Sequence, residues 1–361
     1  MNNFSNINRP RSINECAHLI ATVGAAITVV VRGEPGTGKS SIQRMLEERF
    51  PDYASVELDC PTLGDGDLGT NIPVHDSKQL EFYVASLLRL DEGKPLILQL
   101  DEWLKTSKLM KTMFTRLILN REIGGRKLPE GSIVYATSNL ATDGVNDTKG
   151  AHEQNRVLEI EMAKPDHKEL SVYMVNKGIS PILRTWINLV QKVLHSYRTI
   201  TADQLANNEL IWNPSKPVTA FASPRSIVGC DPIIKNRKVL GDALCEAALA
   251  GMMGAPAARS LMSFVQMEKD IVPVPTILHD PENAHLPDDA GPLLLTLFHA
   301  ADELQNQDEL TKFLKYTARI SNEEYRAVFF SMMCEAKRTH RMAMQNAVLK
   351  KWYQENYELV N

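Results

Sequence analysis

Residues 27–50 read ITVVVRGEPGTGKSSIQRMLEERF. An apolar, β-branched run ends in a glycine-rich turn, and the turn opens on a stretch with helical spacing. Within it, GEPGTGKS (33–40) fits the pattern G-x-x-x-x-G-K-[ST], the phosphate-binding loop. Each part has a chemical reason. Gly33, Gly36 and Gly38 let backbone N–H groups curl around phosphate oxygens, and Glu34, Pro35 and Thr37 complete the loop. Lys39 reaches the β- and γ-phosphates of ATP. The Ser40 hydroxyl is the expected ligand of Mg2+, and the helix that Ser41 opens points its N-terminus at the charge. The strand before the loop and the helix after it are the context that separates this motif from a chance match.

Working outward, five short runs read as buried strands: ITVVVR (27–32), ASVELD (54–59), PLILQLD (95–101), GSIVYATS (131–138) and RVLEIEM (156–162). Near-continuous Val, Ile and Leu suits strands covered on both faces. Helical stretches such as 40–50 and 108–122 lie between them, and this alternation argues for a parallel α/β sheet. The apolar run 19–31 feeds directly into the phosphate loop, so it reads as a helix end and a buried strand, not as a leader or a membrane span. Beyond Pro165 helical patterns dominate. A polar connector (199–220) precedes FASPRSI (221–227), and a linker with five prolines (272–292) precedes a last helical block, 293–361.

Two further strand ends carry chemistry. LILQLDE (96–102) places Asp101 and Glu102 at a C-terminal strand edge, where Asp101 can hold magnesium through water and Glu102 can orient and deprotonate an attacking water. IVYATSN (133–139) ends in Asn139, an amide suited to positioning that water; closing a turn is the commoner role of such a residue. In FASPRSI, Ser223 suits a helix N-cap and Pro224 the first helical position. Arg225 then stands in the first turn, where the helix dipole disfavours a cation unless an anion awaits it.

Composition sets bounds. The chain has 361 residues, is 43% hydrophobic and 23% charged, and carries a formal net charge of −4, which argues against a broad DNA-coating surface. Five widely spaced cysteines form no C-x-x-C pair, which argues against a zinc knuckle or a disulfide framework and fits a reducing cytoplasm. His279 and His285 lie in the proline-rich linker without a matching ligand cluster, and the basic stretch 334–354 reads as a solvated helix face.

The order of phosphate loop, Asp-Glu strand, Asn-ended strand and helical segment with Ser-Pro-Arg resembles an AAA+ ATPase, and within that superfamily the MoxR-like, dynein-related branch. DLGTNIPV (67–74), NREIGGRKLPEGSIVYATSN (120–139), GAHEQNRVLEIEM (150–162) and KPVTAFASPRSI (216–227) are similar to that branch's D-L-x-G-x-P-V, hairpin-then-sensor, arginine-box and second-sensor segments. The final helices resemble those of phage and bacterial members. The resemblance spans most of the chain and is strongest over 27–230. It implies a P-loop AAA+ α/β core over 1–164 with a five-stranded parallel sheet and a helix-2 insertion around 61–90. An α-helical lid over 165–271 and a linker with a C-terminal helical extension over 272–361 follow.

The resemblance also implies roles. Asn139 matches sensor 1, Arg156 the arginine finger that reaches a neighbouring subunit's nucleotide, and Arg225 the second sensor. An arginine finger offsets charge in phosphoryl transfer and is worth roughly 10³ or more in rate. The chain departs from the branch where DEWLKTS (101–107) replaces the usual Asp-Glu-Ile/Leu-Asn-Arg, and Arg121 and Arg126 are alternative trans-acting residues. The implied assembly is a homo-oligomeric ring, by family expectation a hexamer, working as a chaperone-like remodeller beside a partner with a von Willebrand factor A domain. Two alternatives remain open: a motor or loader acting on nucleic acid, and a nucleotide-binding scaffold that barely hydrolyses.

Overall fold

The computed structural model describes residues 9–76, 78–140, 156–216 and 218–360. They form two compact units, Met1–Lys164 and Pro165–Asn361.

The first unit is a parallel sheet with helices on both faces. Its elements run α1 (Ile13–Val23), β1 (Val29–Arg32), α2 (Ser41–Arg49), β2 (Ala54–Asp59), β3 (Gly69–Val74), β4 (Gln79–Val84), β5 (Leu96–Asp101), α3 (Lys108–Asn120), β6 (Glu122–Ile123), β7 (Arg126–Lys127), β8 (Ile133–Ser138) and β9 (Leu158–Glu161). The five long-range strands lie in the order β2-β5-β8-β1-β9, every pairing parallel. The expected five strands are all present. β8, which leads to Asn139, is inserted between the phosphate-loop strand and the Asp-Glu strand. All three therefore deliver their C-terminal ends to one edge.

Side chains of a strand alternate between faces, and the core follows that parity. Leu96, Leu98, Leu100, Val134 and Ala136 pack with Phe114 and Leu117 of α3. Val29, Val31, Ile97 and Ile133 pack with Ile20 of α1 and Ile42 and Leu46 of α2. On this second face the edge strand β2 presents Ser55, Glu57 and Asp59, so the layer turns polar toward β2. A capping box between Ser12 and Glu15 starts α1, and Arg11 bridges to Met162, tying the N-terminal segment to the end of β9.

The segment expected as an insertion in helix 2 is 61–90. Among the described residues it contains no α-helix and forms the antiparallel hairpin β3–β4, with Ile72 opposite Glu81 and Thr70 opposite Tyr83. Both strands are largely exposed on both faces, so tertiary burial imposes no helical pattern, and Pro73 is tolerated because β3 is an edge strand. Phe82 turns inward. Its ring lies over Gly69 and over Gly124 of the β6–β7 turn, where an added Cβ would stand 1.8 Å from the ring.

The second unit is helical: α4 (His167–Asn176), α5 (Pro181–Leu189), α6 (Ala202–Ala206), α7 (Pro224–Gly229), α8 (Asp231–Lys235), α9 (Arg237–Leu240), α10 (Asp242–Met253), α11 (Ala255–Gln266), α12 (Val274–His279), α13 (Ala290–Glu303), α14 (Gln307–Thr317), α15 (Glu323–Glu335), α16 (Lys337–Gln345) and α17 (Ala347–Val360). It has two apolar cores. One is built on Trp186, Leu183, Leu249 and Leu261, the other on Phe298, Phe313, Phe329 and Met333. α5 packs on α13 between them, so the regions expected as lid and extension form one unit. The proline-rich stretch 272–292 is not a free linker. Val272, Val274, Ile277 and Ala284 are buried in the second core, because its prolines start a helix and shape turns without preventing packing. At the α5–α13 contact Arg184 is fully buried, paired with Asp302 and lying 5.6 Å from the Phe298 ring centroid.

Candidate functional site

The loop after β1 is closed and buried. Glu34, Thr37 and Lys39 are all under one-tenth exposed. Gly36 (φ 72°) and Gly38 (φ 98°) occupy the left-handed region that favours glycine, which is how the chain reverses before Ser41 begins α2. Gly33 is closely approached instead: an added Cβ would lie 3.2 Å from the Met162 carbonyl oxygen, so the end of β9 passes directly beside the loop. Thr37 closes the loop from within by donating to the Glu34 carbonyl at 3.0 Å.

Lys39 joins the strand ends. Its ammonium donates to the carbonyls of Gly33 (2.9 Å) and Glu34 (3.0 Å) and to Asn139 Oδ1 (2.9 Å). The phosphate-loop lysine and the residue expected as sensor 1 therefore meet, across a separation of 100 residues, because β8 pairs with β1. Ser40 takes the N-cap position of α2 but makes no capping bond with its side chain, so its hydroxyl is not committed to the helix. Asp101 ends β5 beside Thr137 of β8, whose hydroxyl donates to its carboxylate. A hydroxyl and a carboxylate form an all-oxygen donor set of the kind magnesium takes.

Glu102 follows in the left-handed region (φ 50°), a conformation a non-glycine residue adopts only when its surroundings enforce it. This turns its side chain away from the strand's path. Its carboxylate lies 2.8 Å from Lys105 Nζ, and the Glu102 side chain is 19% exposed. Lys105 is one of the residues that departs from the branch pattern, and its pairing with Glu102 was not foreseen. Only the i,i+3 spacing of opposite charges hinted at it. Thr137 was also missed; the signal was a polar residue inside an otherwise apolar strand.

The arginines separate. Arg121 caps α3 in the left-handed region and turns its guanidinium into its own unit. It donates to the carbonyls of Gly24 (2.9 Å), Ile118 (3.0 Å) and Ala25 (3.4 Å) and to the Thr28 hydroxyl. Burial lowers its pKa to about 10. Arg121 is thus an internal clamp between the end of α3 and the connector from α1 to β1. Arg126 in the β6–β7 hairpin and Arg156 just before β9 are both exposed. Residues 150–155 of the arginine-box segment lie outside the described residues, as does Pro217 of the second-sensor segment.

In the second unit, Ser223 is the N-cap of α7, with its side chain accepting from Ser226 N at 3.2 Å, and Pro224 opens the helix. Arg225 follows in the first turn and is exposed. Lys164, at the end of the first unit, has its pKa lowered to about 8 by burial, an effect the Glu34 carboxylate opposes. The five cysteines are free and buried, and among the described residues no cluster of His, Cys, Asp and Glu could hold a metal on its own. No described helix is long and apolar enough to cross a membrane.

No protein-family model matches the chain, and no curated protein matches it. Solved structures do. A mutant of RuvB from Thermotoga maritima aligns over 89% of this chain and 98% of its own at 11% identity, with a TM-score of 0.36. NtrX from Brucella abortus in complex with ADP aligns over 71% of this chain and 67% of its own at 15% identity, with a TM-score of 0.35. An Hsp104 reconstruction with FITC casein aligns over 42% of this chain and 32% of its own at 18% identity, with a TM-score of 0.33.

Proposed function

We propose that this chain binds and hydrolyses ATP as an AAA+ ring motor of the MoxR-like type, remodelling or assembling a protein partner. The observation that supports it most is the bond from Lys39 to Asn139, with Asp101 and Glu102 at the end of the adjoining strand. Phosphate-binding, water-positioning and base residues then share one sheet edge.

On this reading Lys39 exchanges its carbonyl acceptors for phosphate oxygens, and the backbone N–H groups of the loop take the remaining charge. Ser40 and Asp101 would hold magnesium, which would supply neutralisation of phosphate charge. Glu102 leaves Lys105 to orient and deprotonate the water, and Asn139 holds that water toward the γ-phosphate. Arg156 completes the site of a neighbouring copy, and Arg225 reports the γ-phosphate to the helical unit. A guanidinium suits both tasks because it stays charged and binds two oxygens at once. A ring, by kinship a hexamer, and a partner with a von Willebrand factor A domain belong to the same reading.

The test is Glu102→Gln. ATP binding persists within about threefold and turnover falls at least about 10²-fold, as expected for loss of a general base. Turnover within tenfold of the parent refutes the assignment. The same variant, holding ATP, serves as bait for the partner in a pull-down. A second reading, action on nucleic acid, draws on residues 336–352, which carry five Lys and Arg and no Asp or Glu. Stimulation of turnover by single-stranded DNA, falling steeply with salt, would favour it.

A further inference from the structure

Beneath the candidate site a row of polar side chains crosses the layer between α2 and the sheet, beside the apolar Val29, Val31, Ile97 and Ile133. Tyr135 of β8 and Gln99 of β5 are fully buried, and Gln43 of α2 is 6% exposed. Gln99 stands opposite Tyr135 in the sheet register. The Tyr135 hydroxyl lies 2.8 Å from Gln43 Oε1 and 2.6 Å from Gln99 Oε1. Gln43 Nε2 donates to Ser55 Oγ at 2.6 Å and to the Ile97 carbonyl at 3.1 Å, and the Ser55 hydroxyl donates onward to Glu47.

The proton count fixes the direction of this chain. One phenolic hydroxyl carries one proton and cannot serve two carbonyl oxygens. Gln99 Nε2 has no partner as oriented. An amide's orientation is decided by the network it completes. Turning the Gln99 amide lets Nε2 donate to Tyr135, Tyr135 donate to Gln43, Gln43 to Ser55 and Ser55 to the Glu47 carboxylate. The row becomes one directional chain across β5, β8, α2 and β2.

Apolar side chains would fill this layer without desolvating four polar groups, so the arrangement calls for a reason. Its place in the sequence supplies one. Gln43 is one helical turn beyond Ser40, Gln99 is two residues before Asp101, and Tyr135 is four residues before Asn139. The helix that follows the phosphate loop, the strand that ends in Asp101 and the strand that leads to Asn139 are each held by one member of the chain. Apolar packing is non-directional, whereas hydrogen bonds fix the distance and register of a helix over a sheet.

We propose that Gln43, Tyr135 and Gln99 are positioning residues for the nucleotide site, locking the phosphate-loop helix onto the two strands that present Asp101 and Asn139. The inference rests on the function proposed above. Its consequence is kinetic, since misplacing reacting groups by about 1 Å can cost about 10²-fold in rate.

The experiment compares the parent, Tyr135→Phe, and the triple variant Gln43→Met, Gln99→Met, Tyr135→Phe. Each is assayed for thermal stability, kcat and KM for ATP, and the Mg2+ concentration giving half-maximal turnover. Removing the three side chains together leaves none of their mutual bonds half-made, and Ser55 keeps its bond to Glu47, so the triple variant regains most of the stability that Tyr135→Phe loses. The expected result is that kcat stays down about tenfold or more in both variants, with KM changed less than about threefold and a raised Mg2+ requirement. If kcat recovers with stability in the triple variant, the chain is only structural and the proposal is overturned. Turnover within twofold of the parent in Tyr135→Phe overturns it equally, and this arm decides the matter where the triple variant fails to fold. A parent that does not hydrolyse ATP overturns the functional reading, and this inference with it; an active parent beside unaffected variants overturns this inference alone.

Discussion

Replacing Gly124 by alanine tests the packing of the two hairpins without reference to function. Gly124 (φ 54°) and Gly125 (φ 82°) are neighbours in one turn, and both are left-handed. Alanine at either position carries a backbone cost of about 1–2 kcal/mol. Space distinguishes them. At Gly124 the new methyl would stand 1.8 Å from Phe82 Cδ1 and 2.2 Å from Cγ, whereas at Gly125 it would meet nothing within 4 Å. Relieving such a clash displaces a half-buried ring and costs about 1–3 kcal/mol more. Gly124→Ala should therefore lose about 2–5 kcal/mol and Gly125→Ala about 1–2 kcal/mol. For a unit of this size the difference corresponds to roughly 2–10 °C in midpoint. Thermal unfolding is read together with hydrogen exchange over residues 69–84, where a displaced Phe82 shows as lost protection. In the Phe82→Ala background the excess cost at Gly124 should vanish, giving a coupling of about 1–3 kcal/mol. Equal losses at the two glycines, or a cost that survives removal of the ring, would refute the reasoning.

Other expectations follow from the same geometry. Lys39→Ala should weaken ATP binding by about ten- to a hundredfold, since it removes a charge-assisted contact, and calorimetric titration reads the change directly. Arg121→Ala removes bonds to three carbonyls and the Thr28 hydroxyl, of which Gly24 keeps the Val134 N–H and Ile118 keeps the Thr28 hydroxyl, and should cost about 1.5–3 kcal/mol in urea unfolding. Arg225→Ala should preserve nucleotide binding and lower turnover, and normal ATPase activity in that variant would count against its sensing role. Lys164 gives a pH test. Its folded-state pKa, about 8, lies below the ordinary 10.5, so burial of the charge penalises folding fully below pH 8 and progressively less toward pH 10.5. Relative to Lys164→Met, the parent should therefore gain stability as pH rises from 8 toward 10.5, and a difference independent of pH would refute the reasoning.

The sheet was legible in the sequence because its three central strands are buried. Runs such as VVVR and LILQLD have no other way to satisfy so many β-branched and leucine side chains, and their ends fall within two residues of the expected limits. The hairpin over 69–84 was not legible as such, since a ribbon exposed on both faces leaves little alternation to read. The stretch 180–197 reads as one helix and breaks after Leu189, where Val190 leaves helical geometry. At the site, the loop and the strand ends were readable as motifs. The bond between Lys39 and Asn139 was not, because it depends on which strands are neighbours, and sequence order does not give sheet order. Arg121 was open to a trans-acting role on charge alone. Only the carbonyls gathered around it show that it is spent inside its own unit.

The bonds of Lys39 bear on what the loop does before any nucleotide arrives. A buried cation without acceptors would either lose its proton or force the loop open. Here two carbonyls and an amide hold the ammonium in place. The same arrangement sets a threshold for entry. An anion must displace these hydrogen bonds, which favours a polyphosphate that also engages the loop amides over a single inorganic phosphate. On the proposed function the lysine would be a gatekeeper as well as a ligand, screening anions by how many contacts they return.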